Sequence, residues 1–127
     1  MITAIDEAAL AKLVDQFYAR VRADDLIGPL FNDAIDDWDE HLGKLQAFWS
    51  SVMLTSGRYK GQPLQAHIKH GSRIHAASFE RWLALWGDVT DELFEPGIAV
   101  LFQEKAARIA ESLGLGIRFA REKSISV

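Results

Sequence analysis

Residues 38–53 of the chain read WDEHLGKLQAFWSSVM and predict one long amphipathic helix. Apolar side chains recur there at intervals of three and four residues, which places them on one face of an α-helix. The members of this face are Trp38, His41, Leu42, Leu45, Phe48, Trp49, Val52 and Met53. Asp36 and Asp37 precede the stretch and are suited to cap its first turn, and Ser56-Gly57 marks its end.

The stretch before this helix has the same periodicity. We expect a first helix with Thr3 as its N-cap, Asp6 three residues further on, and an apolar face that extends to Val21. A short helical turn over 29–34 follows, since proline is favoured at a first helical position.

Two more long helices are predicted after the central one. Ser78 is the expected N-cap of the first, which ends at Glu95 because the residue before a proline avoids the α region. Pro96 opens the second, and Gly114 is expected to close it. Residues 115–127 have little pattern and are expected to fray or to add a helical extension. No useful run has a two-residue period, so the predicted fold class is all-α.

The amino-acid composition excludes several classes of protein function. The 127 residues include 14 Lys and Arg, 18 Asp and Glu and no Cys, for a net charge of −4. Zero cysteine excludes disulfides, thiolate metal sites and thiolate catalysis. The acidic balance argues against a nucleic-acid partner, and the longest charge-free stretch, 45–57, is too short to span a membrane. We therefore expect a cytoplasmic protein whose single domain covers residues 1–127.

Several polar aromatic residues are unusual for a plain helical bundle. His41 lies on the apolar face of its helix, Tyr18 lies at the edge of another, and the four Trp all fall on inward faces. Buried Tyr and Trp need partners for their O–H and N–H groups. A bound acceptor, water or mutual pairing would supply such partners. Tyr18 could instead bond a backbone carbonyl, and a His on an apolar face is more often a hydrogen-bonded core residue than a functional one.

His67 lies in a short apolar segment, 64–68, that should form about two helical turns between loops. So short a helix has little intrinsic stability, and a metal–imidazole bond is one way to hold it. His67, His70 and His75 together also leave a zinc site open as an alternative.

Six short sequence motifs that occur in a fixed order along the chain are more specific than the helical periodicity. These are Phe17-Tyr18, Gly28-Pro29-Leu30-Phe31-Asn32, Trp38-x-x-His41, Phe48-Trp49, Tyr59-x-Gly61-Gln62-Pro63-Leu64-x-x-His67 and Phe79-x-x-Trp82-Leu83. In this order they resemble the group III truncated haemoglobins over residues 10–113. The block that ends at His67 is the most specific of them.

The resemblance implies a globin-like, truncated two-over-two helical sandwich that holds haem b. It implies that His67 is the proximal iron ligand, that Tyr18 and Trp82 are the distal hydrogen-bonding pair, and that His41 is the distal histidine that gates the pocket. The expected cofactor contacts are Phe31, His41, Leu45, Phe48, Trp49, Tyr59, Leu64, His67, Arg73 and Trp82. Arg58, Lys60, Lys69 and Arg73 are candidate partners of the haem propionates.

The function implied is the binding of diatomic gases: oxygen, nitric oxide and carbon monoxide. Whether the ligand is stored or takes part in nitric-oxide or peroxide chemistry stays open, and turnover would need an external reductase. The chain departs from the family between His67 and Trp82, where it lacks the usual proline, so His70 competes with His67 as the iron ligand. A haem-free helical interaction module and a zinc- or iron-dependent hydrolase are the alternative functions.

Overall fold

The computed structural model describes residues 1–71 and 73–125, so Ser72 and residues 126–127 lie outside the described part. All regular structure in this part is helical, apart from one isolated bridge between Ile2 and Phe94. The six helices are α1 (Glu7–Ala23), α2 (Gly28–Ala34), α3 (Trp38–Leu54), α4 (Pro63–Ile68), α5 (Ala76–Leu93) and α6 (Pro96–Ile125). The predicted all-α class is confirmed.

The long helices pack as two pairs. Helix α1 packs on α3, α5 packs on α6, and α1 also contacts α5, which joins the pairs. The two short helices lie at the periphery, α2 against α1 and α4 against α6. This is the expected two-over-two sandwich.

An aromatic stack fills the space between the pairs. Trp86 of α5 stacks on Trp49 of α3 at a centroid distance of 4.4 Å and on Trp82 at 5.7 Å. Phe17 of α1 meets Trp86 edge-on at 4.8 Å. The Trp86 indole N–H donates to the carbonyl of Phe102 in α6 at 3.1 Å, so its one polar atom is satisfied inside the core.

Two predicted caps are wrong by one helical turn. Asp6, and not Thr3, caps α1, where its Oδ1 accepts from the N–H of Ala9 at 2.8 Å. Thr3 cannot do so because Ile2 is hydrogen-bonded to the backbone of the α5–α6 corner, which keeps the first residues extended. His75, and not Ser78, is the N-cap of α5; Ser78 instead accepts from the His75 N–H through its Oγ at 3.2 Å.

The expected end of the last helix at Gly114 is also wrong. Helix α6 continues to Ile125, so the helical alternative for residues 115–127 is confirmed as far as that residue. The continuation has a packing reason, since Ile117 is buried and Arg121 donates to the carbonyl of Ile74 at 2.5 Å. Helix α6 has 30 residues but carries charged side chains along its length. No helix in the described residues is long and apolar enough to cross a membrane.

Two glycines provide a matched test of the α1–α2 corner. A Cβ on Gly28, the first residue of α2, would lie 2.8 Å from the carbonyl oxygen of Arg22 and 3.1 Å from that of Val21. A Cβ on the exposed Gly43 of α3 would meet nothing within 4 Å. We expect Gly28→Ala to lower the free energy of unfolding by about 1–3 kcal/mol, because backbone must move. Gly43→Ala should raise it by about 0.5–1 kcal/mol.

Urea unfolding followed by circular dichroism measures both changes. Equal stability of the two variants would contradict the close approach of α1 and α2.

Candidate functional site

Four aromatic rings from three helices form a cluster at one end of α1. Tyr18 of α1 lies 5.9 Å from Phe31 of α2, 6.2 Å from Trp38 and 6.5 Å from His41, both of α3. Trp38 and His41 meet edge to face at 5.7 Å. Phe17 extends the cluster to Trp82 of α5 at 5.6 Å. The fold thus brings the three residues expected on the distal side, Tyr18, His41 and Trp82, into one neighbourhood.

Tyr18 is the most enclosed of these polar groups, with 3% of its surface exposed. Burial raises the pKa of its hydroxyl, because the phenolate would lose its hydration. The Trp82 indole N–H acts on the same hydroxyl in the opposite direction. Tyr18 is therefore a neutral hydrogen-bond donor across the physiological pH range, with a second donor beside it.

An ion pair fixes α5 next to this cluster. Arg81, the neighbour of Trp82, donates to Oδ1 of Asp24 at 2.7 Å, and the Asp24 side chain is only 6% exposed. Asp24 is the C-cap of α1, and its other carboxylate oxygen accepts the N–H groups of Leu26 and Ile27. One carboxylate thus joins the end of α1, the start of α2 and the helix that carries Trp82.

On the other side of the site, α4 carries His67. The ring Nδ1 of His67 lies 2.6 Å from the carbonyl oxygen of Pro63, one helical turn earlier. Because a carbonyl only accepts, Nδ1 carries the proton, and in the neutral imidazole Nε2 then carries the lone pair. This is the arrangement in which an imidazole binds a metal ion while its other N–H holds the ring in place. A backbone carbonyl thus holds the His67 ring through its Nδ1.

His41 responds to its own burial and to two neighbouring basic side chains. Burial lowers the pKa of His41, and the nearby Lys44 and His67 lower it further. The two imidazoles come from helices that pack on different partners, α3 on α1 and α4 on α6. His41 is therefore neutral at physiological pH, with one ring nitrogen that can donate a hydrogen bond and one that can accept.

Hydrogen bonds and an ion pair anchor the loop between α3 and α4 to helices α1 and α3. The hydroxyl of Ser50 donates to Glu7 Oε2 at 2.6 Å and therefore accepts from Ser56 at 2.7 Å. Arg58 pairs with the same carboxylate, at 2.5 Å from Oε1. The hydrogen bond from Ser50 is the main cause of the lowered pKa of Glu7.

This anchoring sets the position of Tyr59. Its backbone N–H donates to Ser51 Oγ at 2.9 Å, and its ring meets Phe48 edge-on at 5.3 Å. Two of the residues expected to contact a cofactor, Phe48 and Tyr59, are thereby in mutual contact.

The exposure of the apolar residues tests whether a flat cofactor fits. Among the large side chains expected to line it, only Trp49 is fully buried, stacked in the core. The others, all partly exposed, are Phe31, Leu45, Phe48, Tyr59, Leu64 and Trp82. Leu64, which lies less than one helical turn before His67 in α4, is 39% exposed. Half-covered apolar side chains on α2, α3, α4 and α5 are what a large planar apolar group would cover, and together with the His67 imidazole they fit haem.

The expected propionate partners differ in their surroundings. Arg73 pairs with Asp33 of α2 at 3.1 Å, and Arg58 pairs with Glu7. Both cations thus already bear a carboxylate partner, whereas Lys60 and Lys69 are exposed in the loops that flank α4.

The zinc alternative finds no support in the geometry. Within residues 1–71 and 73–125, no three His, Cys, Asp or Glu side chains come together as a metal site would require. His75 is exposed at the start of α5, and the backbone N–H of His70 closes a turn on the carbonyl of His67.

Some residues that support the site were missed at the level of sequence. Leu64 packs on Gly116 of α6, where a Cβ would lie 2.5 Å from the leucine Cδ1. Ile117 approaches the buried Gly71, which follows α4. The spacing of Leu113, Ile117 and Arg121 at four-residue intervals was the available signal that α6 continues and supports α4.

The Asp24–Arg81 pair predicts a pH-dependent stability. Burial alone would raise the pKa of Asp24, but the Ile27 N–H and Arg81 outweigh it and hold the pKa below its ordinary value. Asp24→Asn should therefore lower the free energy of unfolding by about 1–2 kcal/mol at pH 7. The difference from the parent should be constant above pH ~5 and shrink as the pH falls through the lowered pKa, because the native carboxylate then takes up its proton.

Urea unfolding between pH 7 and pH 3 measures this difference. The exposed neighbour provides the control variant, Asp25→Asn, and a pH-independent deficit in Asp24→Asn would contradict the role of the charge.

Comparison with known proteins agrees with this geometry. No family profile matches the chain. It is 34% identical over 109 residues to the group 3 truncated hemoglobin ctb of Campylobacter jejuni subsp. jejuni serotype O:2, covering 83% of this chain and 79% of that protein. The crystal structure of a group III truncated hemoglobin from Campylobacter jejuni superposes with a TM-score of 0.81 at 31% identity, over 90% of this chain and 92% of that one. The chain therefore belongs to the group III truncated haemoglobins, a family of globins whose general property is haem-based ligand binding.

Proposed function

We propose that the chain binds haem b through Nε2 of His67 and holds a diatomic gas between Tyr18, Trp82 and His41. The observation that carries the proposal is the hydrogen bond from His67 Nδ1 to the Pro63 carbonyl, because it leaves Nε2 as a lone-pair donor. His67 is favoured over His70 because Leu64 and the preceding block set its helix face, while the fold supports α4 through Gly116. Haem, when bound, supplies the iron on which a gas ligand and redox chemistry depend.

The distal residues act through their hydrogen-bonding protons. The Tyr18 hydroxyl is neutral because burial raises its pKa, so it has a proton to donate to an electron-rich ligand atom. The indole N–H of Trp82 is a donor only, and His41 is a neutral imidazole that takes either role. Donors fixed on different helices in an apolar surrounding strengthen the hold on a ligand and slow its release.

Slow release favours chemistry over transport. A ligand that several donors retain is available to react with nitric oxide, or to take part in peroxide chemistry, before it leaves. Either reaction consumes electrons, and we propose that a separate reductase supplies them. Oxygen, nitric oxide and carbon monoxide are the proposed ligands.

Haem uptake tests the proximal assignment. Haemin added to the purified protein should produce a Soret band, and His67→Ala should weaken or shift it because the iron loses its nitrogen ligand. Added imidazole should restore the spectrum of His67→Ala, since it fits the space left by the ring. His70→Ala is the matched control and should behave like the parent.

A reversed result, in which only His70→Ala loses the band, would assign the iron to His70. Protein that stays colourless after haemin addition would instead favour the haem-free interaction module.

Oxygen dissociation tests the distal assignment. Tyr18→Phe removes the hydroxyl and keeps the ring, so the core contacts with Phe17 and Phe31 are retained. We expect the oxygen dissociation rate to rise about tenfold, which corresponds to the loss of one hydrogen bond of about 1.5 kcal/mol. Stopped-flow measurement gives the rate, and carbon monoxide dissociation, which depends less on hydrogen bonding, serves as the control. An unchanged oxygen rate would remove Tyr18 from this role.

A further inference from the structure

A groove of about 670 Å³ opens on the outside of the molecule, where α1, α2 and the start of α3 meet. It is lined by Ala19, Arg22, Ala23, Asn32, Ile35 and Trp38. The sequence motifs assign none of these residues to the cofactor or to the gas ligand. The groove nevertheless lies directly behind the aromatic cluster, because Trp38 belongs to both.

Arg22 covers the groove side of Trp38. The guanidinium carbon of Arg22 lies 4.6 Å from the centroid of the Trp38 ring, which is a cation–π contact. The Arg22 backbone is fixed as well, since its carbonyl accepts the side-chain N–H of Asn32 at 3.1 Å. The exposed cation is thus held above the indole by a rigid corner of the fold.

Trp38 in turn contacts the site residues. It meets His41 edge to face at 5.7 Å and lies 6.2 Å from Tyr18. The half-buried indole thus lines the groove and contacts the His41 and Tyr18 rings at the same time. A displacement of Trp38 would at once free one side of His41 and connect the groove with the cluster.

We infer that Arg22 is a positioning residue that holds Trp38 closed between the groove and the His41–Tyr18 pair, and that the groove is a route by which a neutral diatomic gas reaches the site. The inference rests on the proposed function. The small lining side chains Ala19 and Ala23 leave room for such a ligand, and Trp38 is the lining residue that also contacts His41 and Tyr18. Arg22 therefore controls how often the route is open.

Removal of the cation tests the inference. Arg22→Gln should speed carbon monoxide association, measured by flash photolysis of the haem-loaded protein, by about two- to five-fold, the equivalent of an exposed cation–π contact. The same variant should weaken the nuclear Overhauser contact between the Trp38 and His41 rings, a readout that does not depend on ligand binding. Arg22→Lys keeps a cation over the ring and should restore both readouts in large part.

A neighbouring arginine provides the matched control. Arg20 lies on the same helix with 42% of its side chain exposed and pairs with Glu92 of α5, so Arg20→Gln removes an equal charge away from Trp38. It should change neither readout. A change in the association rate without a change in the ring contact, or the reverse, would overturn the inference, because Trp38 must carry the effect.

The outcomes separate the inference from the proposed function. A normal Soret band with an unchanged rate and an unchanged ring contact in Arg22→Gln contradicts the inference alone. Absence of haem uptake by the parent protein contradicts both.

Discussion

The stack of Trp49, Trp86 and Trp82 is the contact on which the rest of the structure depends. It joins α3 to α5 across the interface between the two helix pairs, and Phe17 closes it from α1. Each aromatic contact contributes about 0.5–1.5 kcal/mol beyond the area that it buries, so the set outweighs any single surface interaction. Its outer member, Trp82, also contacts Phe17, the neighbour of Tyr18, and acts on the pKa of the Tyr18 hydroxyl. Core packing and the polar site are therefore parts of one array.

The two sides of the site are held by different means. The Tyr18 side is rigid because the Asp24–Arg81 pair and the aromatic cluster join α1, α2, α3 and α5. The His67 side consists of a six-residue helix, which is too short to be stable alone and rests on the last part of α6. Glu7, at the start of α1, reaches the same region through Ser50 and Arg58. A ligand bound between His67 and the aromatic cluster would link the rigid Tyr18 side to the His67 side, which α6 supports.

Much of the site was visible in the sequence because its chemistry lies in residue types that a plain bundle does not need. His41 on an apolar face and the block that leads to His67 both stand out against helical periodicity. Asp24, Arg81 and Gly116 do not stand out, because a charged residue or a glycine in a helix has many ordinary explanations. Trp38 was recognised as an apolar-face residue, but its contact with Arg22 was not visible, since the two lie on different helices.

The sequence by itself determined the helices, their order and most of their ends, because side-chain periodicity and proline act within a few residues along the chain. It misplaced the caps of α1 and α5 and the end of α6, where the backbone makes contacts with distant segments: Ile2 with the α5–α6 corner and Arg121 with Ile74. Only the tertiary structure decided which polar groups lie in one site and which side chains of different helices contact each other. Those relations depend on distances between helices, and local preferences carry no information about such distances.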